Sequence, residues 1–130
     1  MRLQAVTLVV PDYDEGIAFF VGKLGFDLID DTPRGEGKRW VLVAPKGADT
    51  QLLIAEAKGD AQLAAIGNQT GGRVGFFLET DDFARDHTAF VARGVAFMEA
   101  PRHEAYGIVA VFRDDFGNLW DLIQNVQSSR

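Results

Sequence analysis

Proton-transfer chemistry has few places to reside in this sequence. Of two histidines and two tyrosines, His103 and Tyr106 stand with Glu104 in four consecutive positions. A general acid or base could come from His103 or Tyr106; the alternative is a loop that only meets solvent. His87 lies four residues after Phe83 and three before Phe90. That is the buried stripe of a helix, so it reads as a hydrogen-bonded packing residue rather than a catalyst. Nucleophilic catalysis is poorly served. The only serines, Ser128 and Ser129, sit in a polar tail, which leaves a Ser-His-Asp triad without a nucleophile. The chain has no cysteine, so disulfides, thiolate metal sites and a thiol nucleophile are excluded. Lys23, Lys38, Lys46 and Lys58 fall at helix ends, loops and turns. Gly35-Glu36-Gly37 lacks the spacing and the following helix of a phosphate cradle, and no HExxH occurs.

Aromatic residues are the other resource. Trp40, Phe77, Tyr106, Phe112 and Trp120 all lie on or beside expected strands. Alternation along a strand puts Arg73, Gly75 and Phe77 on one face, and Asp121 on one face with Leu119 and Ile123. Trp120 then belongs to a helix-covered face and to the core. Trp40 and Tyr106 are better placed to line a planar or apolar ligand, with simple filling of core volume as the alternative.

The elements that must position these residues are written twice. Residues 3–10 alternate and are rich in β-branched side chains, which predicts a strand. Pro11-Asp12-Tyr13-Asp14 supplies a turn and an N-cap. Ile17, Phe20, Val21 and Leu24 then mark one face of an amphipathic helix that Gly25 ends. Strands are predicted over 26–31, 39–44 and 50–55, with Pro33, Gly35 and Gly37 breaking the first two apart. The order returns as a strand over 73–80 and a helix capped by Asp81-Asp82 and closed by Gly94. Strands over 95–100, 107–113 and 119–124 complete it, with Asp115-Phe116-Gly117-Asn118 as the last turn. An offset of 68 relates Val6 to Val74, Asp14 to Asp82, Pro33 to Pro101 and Val43 to Val111. The expected architecture is α+β: two βαβββ repeats, about 1–56 and 72–126, within one domain spanning 1–130. Residues 57–71 form a connector with a short helix near 62–66. Each repeat gives a curved mixed sheet with its helix outside, and the concave side makes a cup, the natural place for a pocket.

Composition sets the outer limits. The 130 residues are 47% hydrophobic and 25% charged, ordinary for a globular protein. No apolar run reaches the roughly 20 residues of a membrane helix, and no signal-peptide core is seen, so the expectation is a cytoplasmic protein without a membrane partner. A formal charge of −6 with scattered arginines argues against a nucleic-acid partner and favours encounter with cations.

The segments VTLVVPDYDEGIAFFVGKLGF, GRVGFFLETDDF and VFRDDFGNLWDLIQ resemble the vicinal-oxygen-chelate superfamily, which includes glyoxalase I, extradiol dioxygenases and bleomycin-resistance proteins. The likeness covers nearly the whole chain and is more specific for fold than for activity. It implies metal-ligand positions at Ala5, Gln51, Arg73 and Asp121. Ala5 has no donor atom, and Arg73 would put a permanent cation where a divalent ion would sit. The expectation is therefore no metal and no cofactor, with Gln51, Arg73, Asp121, Trp40, Phe77 and Tyr106 as ligand-binding residues. Arg73 would replace the ion's charge, pairing with Asp121 or with an anionic ligand oxygen. The resemblance also implies a homodimer. Three functions stay open: a metal-free small-molecule binder of the bleomycin-resistance kind, a lyase- or dioxygenase-type enzyme that is metal-free or has an atypical metal site, and a scaffold whose cup is self-filled.

Overall fold

A computed structural model describes residues 1–126 of the chain; Ser128 and Ser129 lie outside the described residues. The chain divides into two compact units, with the boundary between Gly67 and Asn68, inside the expected connector.

In the first unit, β1 (Ala5–Val10) leads through Asp12 into α1 (Tyr13–Ile17). The Asp12 carboxylate accepts from the Glu15 N–H at 3.0 Å, the N-cap expected of Pro11-Asp12. The helix then widens into a π-helical segment over Ala18–Lys23. The bond from Leu24 N–H to the Phe19 carbonyl, 3.1 Å, closes this wider turn. Extra width buries Phe19 together with Phe20, their rings edge to face at 5.1 Å. A period of 3.6 residues leaves Phe19 off the buried stripe, so this contact was invisible to periodicity.

β2 (Asp27–Gly35), β3 (Lys38–Ala44) and β4 (Gln51–Glu56) complete a mixed sheet of order β1-β4-β3-β2, with β1 and β4 parallel. The expected break at Pro33 does not occur. β2 continues through it with register shifts at 28/30 and 33/35, because it is an edge strand and needs no inward N–H there. The turn is confined to Gly35-Glu36-Gly37, all at positive φ. α1 packs on β1, β3 and β4; a Cβ on Gly16 would lie 2.7 Å from Ile54, so glycine permits that approach. Leu8, Val10, Val41, Val43 and Ile54 form the core on this side. A short helix, α2 (Gly59–Ala65), follows, slightly earlier than expected.

The second unit repeats the plan with β5 (Val74–Glu79), α3 (Phe83–Ala92), β6 (Ala96–Phe97), β7 (Arg102–Glu104), β8 (Gly107–Arg113) and β9 (Leu119–Asn125). Its sheet runs β5-β9-β8-β6, with β7 also on β8 and β5 parallel to β9. Asp82 caps α3 as expected, accepting from Arg85 N–H at 3.1 Å. One strand was expected over 95–100; the structure has two short ones, split around Pro101. Between them the Glu99 carboxylate accepts the Val111 N–H at 2.9 Å, standing in for a missing strand partner.

Asp114 organises the last turn. Its buried carboxylate accepts four hydrogen bonds, from Phe116 N–H, Asn118 N–H, the Asn118 amide and the Trp120 indole, at 2.9–3.0 Å. Trp120 is held between Phe76 and Phe112 at 4.5 and 5.7 Å, in the α3-side core as expected. His87 stacks against Phe83 and Phe97 at 5.3 and 4.4 Å. It is a packing residue through ring contacts, not through the expected hydrogen bond.

Candidate functional site

Strand register fixes which residues share a surface. In the second sheet Phe112, Ala110 and Trp120, Leu122 point toward α3, so the residues between them point away. Asp121 pairs with Phe77 on β5 and with Val111 on β8, which places all three on the face opposite α3. Arg102 faces Val109 and Glu104 faces Gly107, so both charges join that surface. His103 pairs with Ile108 and falls on the other side. The structure therefore does not bring His103 to Asp121. Tyr106, in the β7–β8 turn, is 49% exposed, and its hydroxyl lies beside Arg102.

Arg73 does not join this group. The register passes from Val74/Leu119 to Phe76/Trp120, so Gly75 is an extra residue and the alternation reverses there. The cause is Thr70. Its hydroxyl donates to the Arg73 carbonyl at 2.6 Å, and its methyl lies 2.6 Å from where a Gly75 Cβ would stand. Arg73 lies in the bend before β5; it is exposed and forms no ion pair with Asp121 among the described residues. The expected Arg73–Asp121 pair is not made, and Arg73, Gly75 and Phe77 do not share a face.

Asp121 Oδ1 is buried without a hydrogen-bond partner among the described residues. Burial pushes its carboxyl above the usual carboxylate range, opposed by the nearby Arg102 charge and reinforced by Glu99. Arg102 is already engaged, with Nε 2.9 Å from Glu99 and a terminal nitrogen 3.5 Å from Glu104. Around this cluster two apolar side chains remain in solvent: Phe77 is 68% exposed and Met98 53%. Met98 joins the same face through its N–H bond to the Val111 carbonyl. Glu99, Arg102 and Met98 were not singled out from sequence. Their signal was the spacing of charges in Glu99-x-x-Arg102-x-Glu104, hidden by reading 95–100 as one uninterrupted strand.

In the first unit Leu42 pairs with Leu53, so Trp40, Leu42, Leu53 and Gln51 share the face opposite α1. Gln51 pairs directly with Ala5. Gln51 Oε1 is a second buried acceptor without a partner among the described residues. The half-buried Trp40 ring carries the Arg34 guanidinium 5.4 Å from its centroid. The four positions at which the resemblance implies metal ligands therefore offer an alanine, a carboxamide, an exposed guanidinium and one half-buried carboxyl. This set does not fit a hard divalent ion, which takes several oxygen ligands at once. Among the described residues no group of three or more His, Asp or Glu is placed to hold a metal ion.

Two sheets of the pattern βαβββ, each with a helix on one face, define the glyoxalase type of α+β protein. Residues 2–122 match the family model described as the Glyoxalase/Bleomycin resistance protein/Dioxygenase superfamily, and the chain belongs to that superfamily. An uncharacterised protein of Shewanella frigidimarina (strain NCIMB 400) is 53% identical over 121 residues, covering 92% of this chain and 90% of that one. Among solved structures, UcmS2 is 30% identical with a TM-score of 0.82, covering 95% of this chain and 97% of its own. TnmS3, described as an antibiotic-binding protein from Streptomyces sp. CB03234, is 34% identical with a TM-score of 0.79 and 97% of each chain covered. Among the described residues no helix is long and apolar enough to cross a membrane.

Proposed function

We propose that this protein binds a small, largely apolar organic molecule on a sheet face opposite its helix, without a divalent metal. One observation carries the reading. On the α3-free face, Phe77 stands in solvent next to Asp121, a carboxyl whose buried oxygen has no partner among the described residues. An exposed aromatic ring offers a contact for an apolar ligand, and an unpartnered buried acceptor is a place for a ligand donor. The likeness to TnmS3, an antibiotic-binding protein, supports the same class of ligand. Independence from metal rests on the donor chemistry of Ala5, Gln51, Arg73 and Asp121.

Thermal unfolding tests the proposal. Bleomycin and other antibiotics with planar rings should be compared with magnesium, manganese, zinc and a chelator. A ligand at a hundred times its Kd stabilises by about 2.7 kcal/mol, enough for a shift of several degrees. At least one antibiotic is expected to raise the midpoint, while the ions and the chelator leave it unchanged. A midpoint raised by an ion and by no organic compound would sink the reading.

A further inference from the structure

We infer that the tip of the β2–β3 hairpin, residues 32–40, is a movable flap that Arg39 latches to α1, and that releasing the latch shifts Trp40 on the face opposite α1. The inference goes beyond the small-molecule reading and does not depend on it, because latch and release belong to the chain by itself.

The hairpin changes character at Val41. β3 pairs with β4 from Val41 to Val43, whereas the β2–β3 pairing continues to Gly35 and Lys38. Residues 32–40 are therefore a two-stranded ribbon that extends past the paired part of the sheet. Burial follows the same boundary. Residues 41–44 are buried, Val41 and Val43 fully so, while residues 31–38 are exposed. The turn stands clear of the body: a Cβ added at Gly35 or Gly37 would meet nothing within 4 Å. A two-stranded ribbon buries too little surface to hold a position by itself.

Side chains supply the hold, and on the α1 side they meet at Arg39. Its guanidinium grips Asp31 diagonally across the ribbon, Nε to Oδ1 at 3.1 Å and a terminal nitrogen to Oδ2 at 2.8 Å. The other terminal nitrogen donates to Asp14 Oδ1, in the first turn of α1, at 2.9 Å. The guanidinium also lies 5.2 Å from the centroid of the Tyr13 ring, and the Arg39 N–H donates to the Tyr13 hydroxyl at 3.3 Å. Asp31 thus stiffens the ribbon, and Asp14 and Tyr13 join it to the helix.

This division makes Asp14 the release point. Its side chain is 79% exposed, and exposed ion pairs are weak and screened by salt. The two bonds to Asp31 stay within the ribbon when Asp14 lets go, so the ribbon moves as a unit about Val41. α1 blocks motion toward the helix, and a released ribbon swings the other way. Trp40 travels with it. The indole lies on the opposite side from Arg39, half-buried, with the Arg34 guanidinium of the same ribbon 5.4 Å from its centroid. The swing carries it over the face that it shares with Leu42 and Leu53.

Amide hydrogen exchange followed by NMR at neutral pH and low salt reads the flap directly. Asp14→Asn removes the charge of the latch and keeps its shape. Glu15→Gln, at an exposed carboxylate of the same helical turn, controls for charge at the helix start. Asp14→Asn is expected to speed exchange over residues 32–40 about twofold to fivefold. It should shift the Trp40 indole N–H resonance while leaving residues 41–44 and the Trp120 indole unchanged. Glu15→Gln should change none of these. About 0.5 M sodium chloride should bring the unaltered protein close to the behaviour of Asp14→Asn. Faster exchange over 41–44 in step with 32–40 would overturn the flap, because ribbon and sheet would then open together. Exchange over 32–40 that ignores both Asp14→Asn and salt would overturn the latch, as would an equal effect of Glu15→Gln.

Discussion

Asp114 and Asp121 lie seven positions apart in the second unit and have opposite surroundings. Asp114 accepts four hydrogen bonds within its turn, whereas Asp121 Oδ1 accepts none among the described residues. A carboxylate placed as Asp121 is costs stability when ionised, and burial accordingly raises its pKa. With the folded-state value above the unfolded one, the favourable contribution is present below the ordinary carboxylate range. It is lost as pH rises through the raised value. Asp121→Asn should therefore raise the melting midpoint at neutral pH, and the advantage should vanish in acid below the ordinary range. A loss of stability at neutral pH would mean that the carboxylate has a partner. At this scale the strand placement of Phe77, Asp121 and Trp40 was legible from residue type and alternation. The shared face expected for Arg73 and Phe77 failed because the register shifts at Gly75, where Thr70 packs closely.

Elements explain the rest of what the sequence hid. The caps at Asp12 and Asp82 and the Asp115-to-Asn118 turn follow from local chemistry and were readable; the parallel pairs of β1 with β4 and β5 with β9 are long-range and were not. The π-helical segment was not, since its wider turn answers to the packing of Phe19 against Phe20 rather than to a local signal. Nor was the split of the sixth strand, which depends on a side chain from Glu99 replacing a backbone partner of β8. Gly107, the first residue of β8, shows how closely strands approach here. A Cβ would lie 2.1 Å from the Gln124 carbonyl oxygen, and the backbone has φ +148. Gly107→Ala is expected to cost at least about 2 kcal/mol, read by denaturant unfolding. An unchanged midpoint would show that β8 and β9 can separate at this end. Because β8 also carries Val111 and pairs with β7, the same variant should weaken any ligand held at Asp121.

For the molecule as a whole, the offset of 68 made the duplication visible, and the two units keep the same strand plan with different surfaces. In the first, Trp40 and Gln51 lie opposite α1; in the second, Phe77, Met98, Arg102 and Asp121 lie opposite α3. Superfamily membership explains the plan, while the side chains at positions 5, 51, 73 and 121 do not make up the oxygen-rich set that a hard divalent ion takes. The most direct test of the central claim follows tryptophan fluorescence while a planar-ring antibiotic is titrated into metal-stripped protein, first in chelator and then in excess divalent ion. The account predicts a saturable change in both and superimposable curves. Binding that appears only when the ion is supplied would contradict it.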